Sequence, residues 1–238
     1  MKRFEDTYGP AATQAANRHA NAHYATAEDK RQGVVSFVGV MAFLMNNPER
    51  ISAVKEPFGS HVFWEKAAQR FFKGRFRAEL PSAPSTVPDG MVTYVMQAAF
   101  GYSSKEAEAI KLTHQLAMAA ENAVGEVLER YIASVLEPRG WYWCSGTLVK
   151  SVDFLRLDRH GETWTQLQVK NRDNSENSSS AAIRDGTSIL HWFRTFAKTG
   201  QSNWGAFPAV SSGERALLTE AGFKEYVGKY YERLRPKI

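Results

Sequence analysis

A chain of 238 residues with 43% hydrophobic and 23% charged side chains has ordinary globular composition, which excludes the disordered class. It suits one domain, or one domain with a substantial helical addition. The net charge of +5 and a pI near 9.3 suit polyanionic partners without requiring them, and the single cysteine, Cys144, excludes an intramolecular disulfide or a Cys-rich zinc site.

Met1 to Pro10 is polar, without the apolar core of a secretory signal. Ala11 to Ala25 is alanine-rich. Val34 to Met45 carries a wide apolar face that ends at Asn46-Asn47-Pro48. That stretch is broken by Gly39 and falls short of the roughly 20 residues a membrane span needs. The expectation is a soluble, cytoplasmic protein with no membrane partner. A further helix is predicted over Val62 to Phe72. Arg77 to Gly90, broken by Pro81, Pro84 and Pro88, is the best candidate boundary.

From Ser103 a periodic run with a helix-start signature extends to Leu136, with room for a break near Glu121. The pattern then changes. Trp141 to Cys144, Leu148 to Leu157 and Thr163 to Lys170 read as three neighbouring strands, with Asp158 to Gly161 as a hairpin turn. Asn171 to Ser180 reads as a polar loop, Thr187 to Ala197 as a helix, Asn203 to Val210 as a strand and Glu214 to Arg235 as terminal helices. The fold class is therefore α/β. A largely helical N-terminal region over 1–102 precedes a core over 103–238 with a mixed central sheet flanked by helices.

Chemistry concentrates at Ser151-Val152-Asp153-Phe154-Leu155 and Gln166-Leu167-Gln168-Val169-Lys170. Strand alternation puts Gln168 and Lys170 on one face, and Asp153 on the neighbouring strand can reach the same spot. The Asp153 carboxylate, the Gln168 amide oxygen and the Val169 carbonyl are oxygen donors suited to a hard cation such as Mg²⁺. Lys170 would orient a nucleophile or offset charge on a phosphate. The same pattern also occurs by chance on the solvated face of a hairpin. Upstream, Glu129 lies on a helix whose apolar stripe is Val124, Leu128, Ile132 and Val135. It either points at the metal or is a solvated carboxylate, and Glu126 competes for that role. In the loop behind the strands, Asn171, Arg172, Asn174, Asn177, Ser178 and Arg184 can donate to phosphates or base edges, unless the loop is only solvated surface. His19 and His23 have no third ligand, and a packed or solvated pair is the simpler reading.

Gly125-Glu126-Val127-Leu128-Glu129-Arg130-Tyr131-Ile132, Gly140-Trp141, Val152-Asp153-Phe154 and Leu167-Gln168-Val169-Lys170 together resemble the shared core of PD-(D/E)XK nucleases. Over residues 121–192 the chain resembles, more narrowly, the SinI-type type II restriction endonucleases. Leu167 to Arg172, Asn174 to Ser180 and Arg184 to Thr187 carry that likeness. The resemblance implies a restriction-endonuclease-like core with Asp153, Gln168 and Lys170 in the catalytic positions and Glu129 in the upstream helix position. It implies Mg²⁺-dependent double-strand cleavage of DNA at GGWCC (W is A or T), and a DNA methyltransferase as functional companion. A palindromic target favours a homodimer. Gln168 departs from the motif, where Asp or Glu is usual. Two other readings stay open: a nuclease of the same chemistry with a different target, and a non-catalytic DNA-binding protein.

Overall fold

The computed structural model describes residues 2–52, 54–82, 89–173 and 188–235. Helices α1 (Lys2–Thr7), α2 (Gly9–Ala20), α3 (Ala27–Asn46) and α4 (His61–Phe76) form the N-terminal layer. Side chains cap two of them: Thr26 Oγ1 accepts the Asp29 amide and Ser60 Oγ accepts the Phe63 amide. Helix α4 runs one turn beyond its predicted end. Its buried residues Phe63, Trp64, Ala67, Ala68, Phe71 and Phe72 make one face, while the extra turn is basic.

Helix α5 (Gly90–Phe100) is followed by α6 (Ser104–Leu136), which begins in a reciprocal capping box between Ser103 and Glu106. Helix α6 is continuous for 33 residues, so the expected break near Glu121 does not occur.

Strands β1 (Trp141–Trp143), β2 (Phe154–Leu157), β3 (Trp164–Arg172) and β4 (Ile189–Thr195) form a sheet in the order β1-β2-β3-β4. The first two pairings are antiparallel and β3–β4 is parallel. Gly161, with φ of 76°, closes the β2–β3 hairpin as expected, its N–H donating to the Asp158 carbonyl.

Three expectations are corrected. The helix predicted over 187–197 is strand β4. Ile189 packs with the N-terminal helices and Trp192 with the opposite cluster, so the strand is apolar on both faces. A strand covered on both sides loses its two-residue alternation and can imitate helical spacing. The strand predicted over Leu148 to Leu157 begins only at Phe154, because a 3₁₀ turn at Ser145–Thr147 and left-handed backbone at Thr147 and Ser151 precede it. Asn203 to Val210 is no strand. It makes a 3₁₀ turn at Trp204–Ala206 that sinks Trp204 and Phe207 into the core.

Short helices α7 (Ser212–Leu217) and α8 (Glu220–Glu232) end the described chain. The sheet thus has a helical layer on each face. Helices α1 to α4 cover Leu155 and Ile189, and the second half of α6 with α8 covers Trp141, Phe154, Leu167 and Trp192.

A buried ion pair joins the N-terminal layer to the sheet. Glu137 accepts both Arg75 guanidinium nitrogens at 2.7 Å, the Ser36 hydroxyl at 2.7 Å and the Trp143 amide at 3.3 Å. Nearby, α4 meets the loop before β2 backbone to backbone. A Cβ on Gly74 would collide with the Gly146 nitrogen, and one on Gly146 would collide with the Arg70 carbonyl. Gly146 also has φ of 76°, where a side chain is strained. Gly146→Ala should therefore cost about 2–4 kcal/mol, combining overpacking with left-handed strain. Urea unfolding checks this, and a variant with unchanged midpoint would refute the close packing.

Candidate active site

Strand β2 starts one residue after Asp153, so β3 has no backbone partner at its next amide. The Asp153 side chain takes that place: its Oδ2 accepts the Val169 N–H at 2.7 Å. The Asp153 backbone N–H donates to the Leu167 carbonyl at 2.9 Å, and its carbonyl accepts the Cys144 N–H at 2.8 Å. Three hydrogen bonds thus fix one carboxylate where β1, β2 and β3 meet. The N–H and C=O of a strand residue point to the same side, so the Val169 carbonyl faces the same gap. Leu167 and Val169 are buried in the core, and alternation turns Gln168 and Lys170 to the other face.

Asp153, Gln168 and Glu129 line one cleft of about 1030 Å³. Glu129 reaches it from α6, and its Oε2 accepts the Trp143 indole N–H at 3.0 Å. Both helix carboxylates line the cleft, in different surroundings. Glu129 is the more buried and feels the charge of Asp153, while Glu126 is exposed and pairs with Arg130 at 2.8 Å. Lys170 does not line the cleft, yet its charge acts on the Asp153 carboxylate.

Burial pushes Glu129 up to about 8, and repulsion from Asp153 adds to it against the pull of Trp143 and Arg130. Asp153 rises to about 6, again through burial, with the Val169 amide and Lys170 pulling the other way. Two close, poorly solvated carboxylates cannot both ionise cheaply unless a cation sits between them. Among the described residues no cluster of three or more His, Cys, Asp or Glu forms, so histidine- or thiolate-rich metal chemistry has no donor set there. Two carboxylates, one amide oxygen and a backbone carbonyl match a hard cation.

One wall of the cleft was missed by sequence reasoning. Arg70 and Lys73 line it from α4, Arg77 from the residue that caps the end of α4, and Lys150 from the loop before β2. Positions 70, 73 and 77 share one helix face, a signal legible beyond Phe72 in the sequence. The α4 C-terminus is held in place by Arg130, whose guanidinium donates to the carbonyls of Gly74, Arg75 and Arg77. Asn171 and Arg172 open instead on a second depression, with Asn171 Oδ1 accepting Arg194 Nε at 2.9 Å and Arg172 paired to Glu121 at 3.3 Å. Asn174, Asn177, Ser178 and Arg184 lie outside the described residues.

The SinI restriction endonuclease family model matches residues 16–233. The chain belongs to the SinI restriction endonuclease family. It is 43% identical over 208 residues to the type II restriction enzyme SinI of Salmonella infantis, covering 87% of this chain and 88% of that one. It is 42% identical over 203 residues to the type II restriction enzyme Eco47I of Escherichia coli, covering 83% and 87%. The SinI family match takes in α4 as well as Glu129, Asp153 and β3, so the basic wall and the carboxylates both lie inside the family region.

The raised Glu129 pKa carries a sign for stability. The folded chain keeps a proton that the unfolded chain loses above pH 4.5, so stability falls as pH rises from there through about 8 and then levels. In EDTA, the melting temperature of the wild type should drop more steeply over this range than that of Glu129→Gln. Parallel profiles would refute the buried carboxyl.

Proposed function

We propose that this chain is a type II restriction endonuclease that cuts both strands of DNA at a short specific site, GGWCC, with Mg²⁺ as cofactor. Its core is of the PD-(D/E)XK kind, with Asp153, Gln168 and Lys170 in the catalytic positions. The observation that carries this reading is the Asp153 carboxylate clamped to the Val169 amide, beside Gln168 and facing Glu129. Family membership and the type II restriction enzymes it resembles support the substrate class. Such an activity belongs in the cytoplasm, where incoming DNA is met. No helix among the described residues is long and apolar enough to cross a membrane. A DNA methyltransferase would protect the host's own sites.

Asp153, the Gln168 amide oxygen and the Val169 carbonyl would hold Mg²⁺. When bound there it would polarise the scissile phosphate and acidify an attacking water. Gln168 supplies an oxygen without a charge, which leaves Glu129 as the second negative group. At rest burial favours the protonated form of Glu129, which can release its proton as positive charge enters the cleft. Lys170 offsets charge that develops on the phosphate. Arg70, Lys73 and Lys150 would grip the backbone of the strand being cut, while Asn171, Arg172, Asn174, Asn177, Ser178 and Arg184 would read or flank the site. A palindromic target calls for two copies, one cut per subunit.

A digest of unmethylated plasmid with Mg²⁺ tests this. Discrete fragments ending at GGWCC are expected, absent with EDTA or Asp153→Ala, and slowed about 10²- to 10³-fold in Lys170→Ala. Fragments at another sequence would remove the target alone. A folded wild type that binds DNA and never cuts it would overturn the enzyme. Replacing Arg70 and Lys73 by alanine should flatten the salt dependence of DNA binding by about 0.9 in log–log slope per lost phosphate contact, measured by fluorescence anisotropy. An unchanged slope would remove α4 from the interface.

A further inference from the structure

Helix α5 and the first half of α6 form a hairpin arm that neither core cluster uses. Helix α5 has no charged side chain and buries none of its residues. Polar bonds tie it to α6. Thr93 Oγ1 donates to Glu108 at 2.7 Å, and Lys111 Nζ donates to Thr93 at 2.8 Å and to Glu108 at 3.0 Å. The large apolar side chains point outward instead: Tyr94 is 63% exposed, Phe100 71%, Leu112 55% and Leu116 53%. This is the reverse of the arrangement that burial within one chain selects.

An isolated helix of 11 residues is marginal in water, and α5 gains no burial to offset that. Taking roughly 200 Å² for a fully exposed aromatic side chain and somewhat less for an aliphatic one, the arm leaves on the order of 1000 Å² of apolar side chain exposed. A standard interface needs about 800 Å² per partner. The segments Gly90–Phe100 and Leu112–Ala120 hold no Asp, Glu, Lys or Arg, so they bring no lysine or arginine to neutralise a DNA backbone.

We infer that the arm is the homodimer interface, with two copies pairing their hairpins across a two-fold axis into a four-helix bundle. This deepens the dimer of the proposed function by naming its surface. A layer of two antiparallel helices is completed by a second copy of itself, so one isologous contact covers both patches. Because α6 is continuous, the arm is rigidly joined to the cleft: Leu112 and Glu129 are 17 positions apart, about 26 Å along the axis.

Sedimentation equilibrium of the full chain tests this. The wild type should have twice its 26.7 kDa chain mass at micromolar concentration. Tyr94→Glu combined with Phe100→Glu should raise the dissociation constant at least about 100-fold, with the circular dichroism spectrum unchanged. The milder pair Tyr94→Ser and Leu116→Gln should shift it in the same direction, and serves if the charged pair fails to fold. A monomeric wild type overturns the interface, including one that instead binds phosphatidylcholine vesicles. So does a folded variant that stays dimeric. A dimer sensitive to these changes that cuts no DNA would overturn the nuclease and leave the interface standing, and a monomer that cuts would do the opposite.

Discussion

The buried Arg75–Glu137 pair is the interaction on which the rest of the molecule depends. It lies where α3, α4, the end of α6 and β1 converge, and Ser36 and Arg75, which donate to Glu137 at the shortest distances, are both far from it in sequence. Removing one partner of such a pair typically costs about 3–5 kcal/mol, because the other charge is left without compensation. Arg75 also stacks on Trp143, 4.9 Å from its ring, and Arg130 approaches the same indole at 5.4 Å. The other end of that indole donates to Glu129. Packing between the layers is thereby converted into the position of a cleft carboxylate.

The second constraint is the interrupted strand. Had β2 begun two residues earlier, a backbone carbonyl would have met the Val169 amide and Asp153 would have turned to one face of the sheet. The left-handed residue Ser151 and the close contact of Gly74 with Gly146 prevent this. The loop must leave the sheet to meet α4, and the Asp153 side chain closes the ladder in its place. A carboxylate used as a structural acceptor is held without rotational freedom, and that is the state in which a ligand group costs least entropy to use.

The N-terminal helices wall the cleft and cover the sheet. They supply Arg70, Lys73 and the capping residue Arg77 to the cleft and cover the sheet face that carries Leu155 and Ile189. Helix α6 plays the corresponding part on the other face. Its second half is core and carries Glu129, while its first half leaves the core and joins the apolar arm.

The sequence by itself determined those features whose signals are local. Alanine content, 3.6-residue periodicity and a capping signature marked most of α2, the apolar half of α3, α4 and α6, though not α1, and Gly161 placed the hairpin turn. That Asp153 and Gln168 would line one cleft was legible from strand alternation and hairpin adjacency, which are short-range rules, whereas Lys170, expected beside them, does not line it. Tertiary structure alone decided the rest. Strand β4 is apolar on both faces only because two helical layers cover it, and that erased the alternation that would have marked it as a strand. The basic face of α4 was legible as a face, but nothing local joins Arg70 to Lys150 or aims either at a cleft. Helix α4 reaches that cleft only through the contact of two glycines, Gly74 and Gly146, that are remote in the chain. The raised pKa values of Glu129 and Asp153 have the same origin, since desolvation belongs to the folded surroundings and not to the residue.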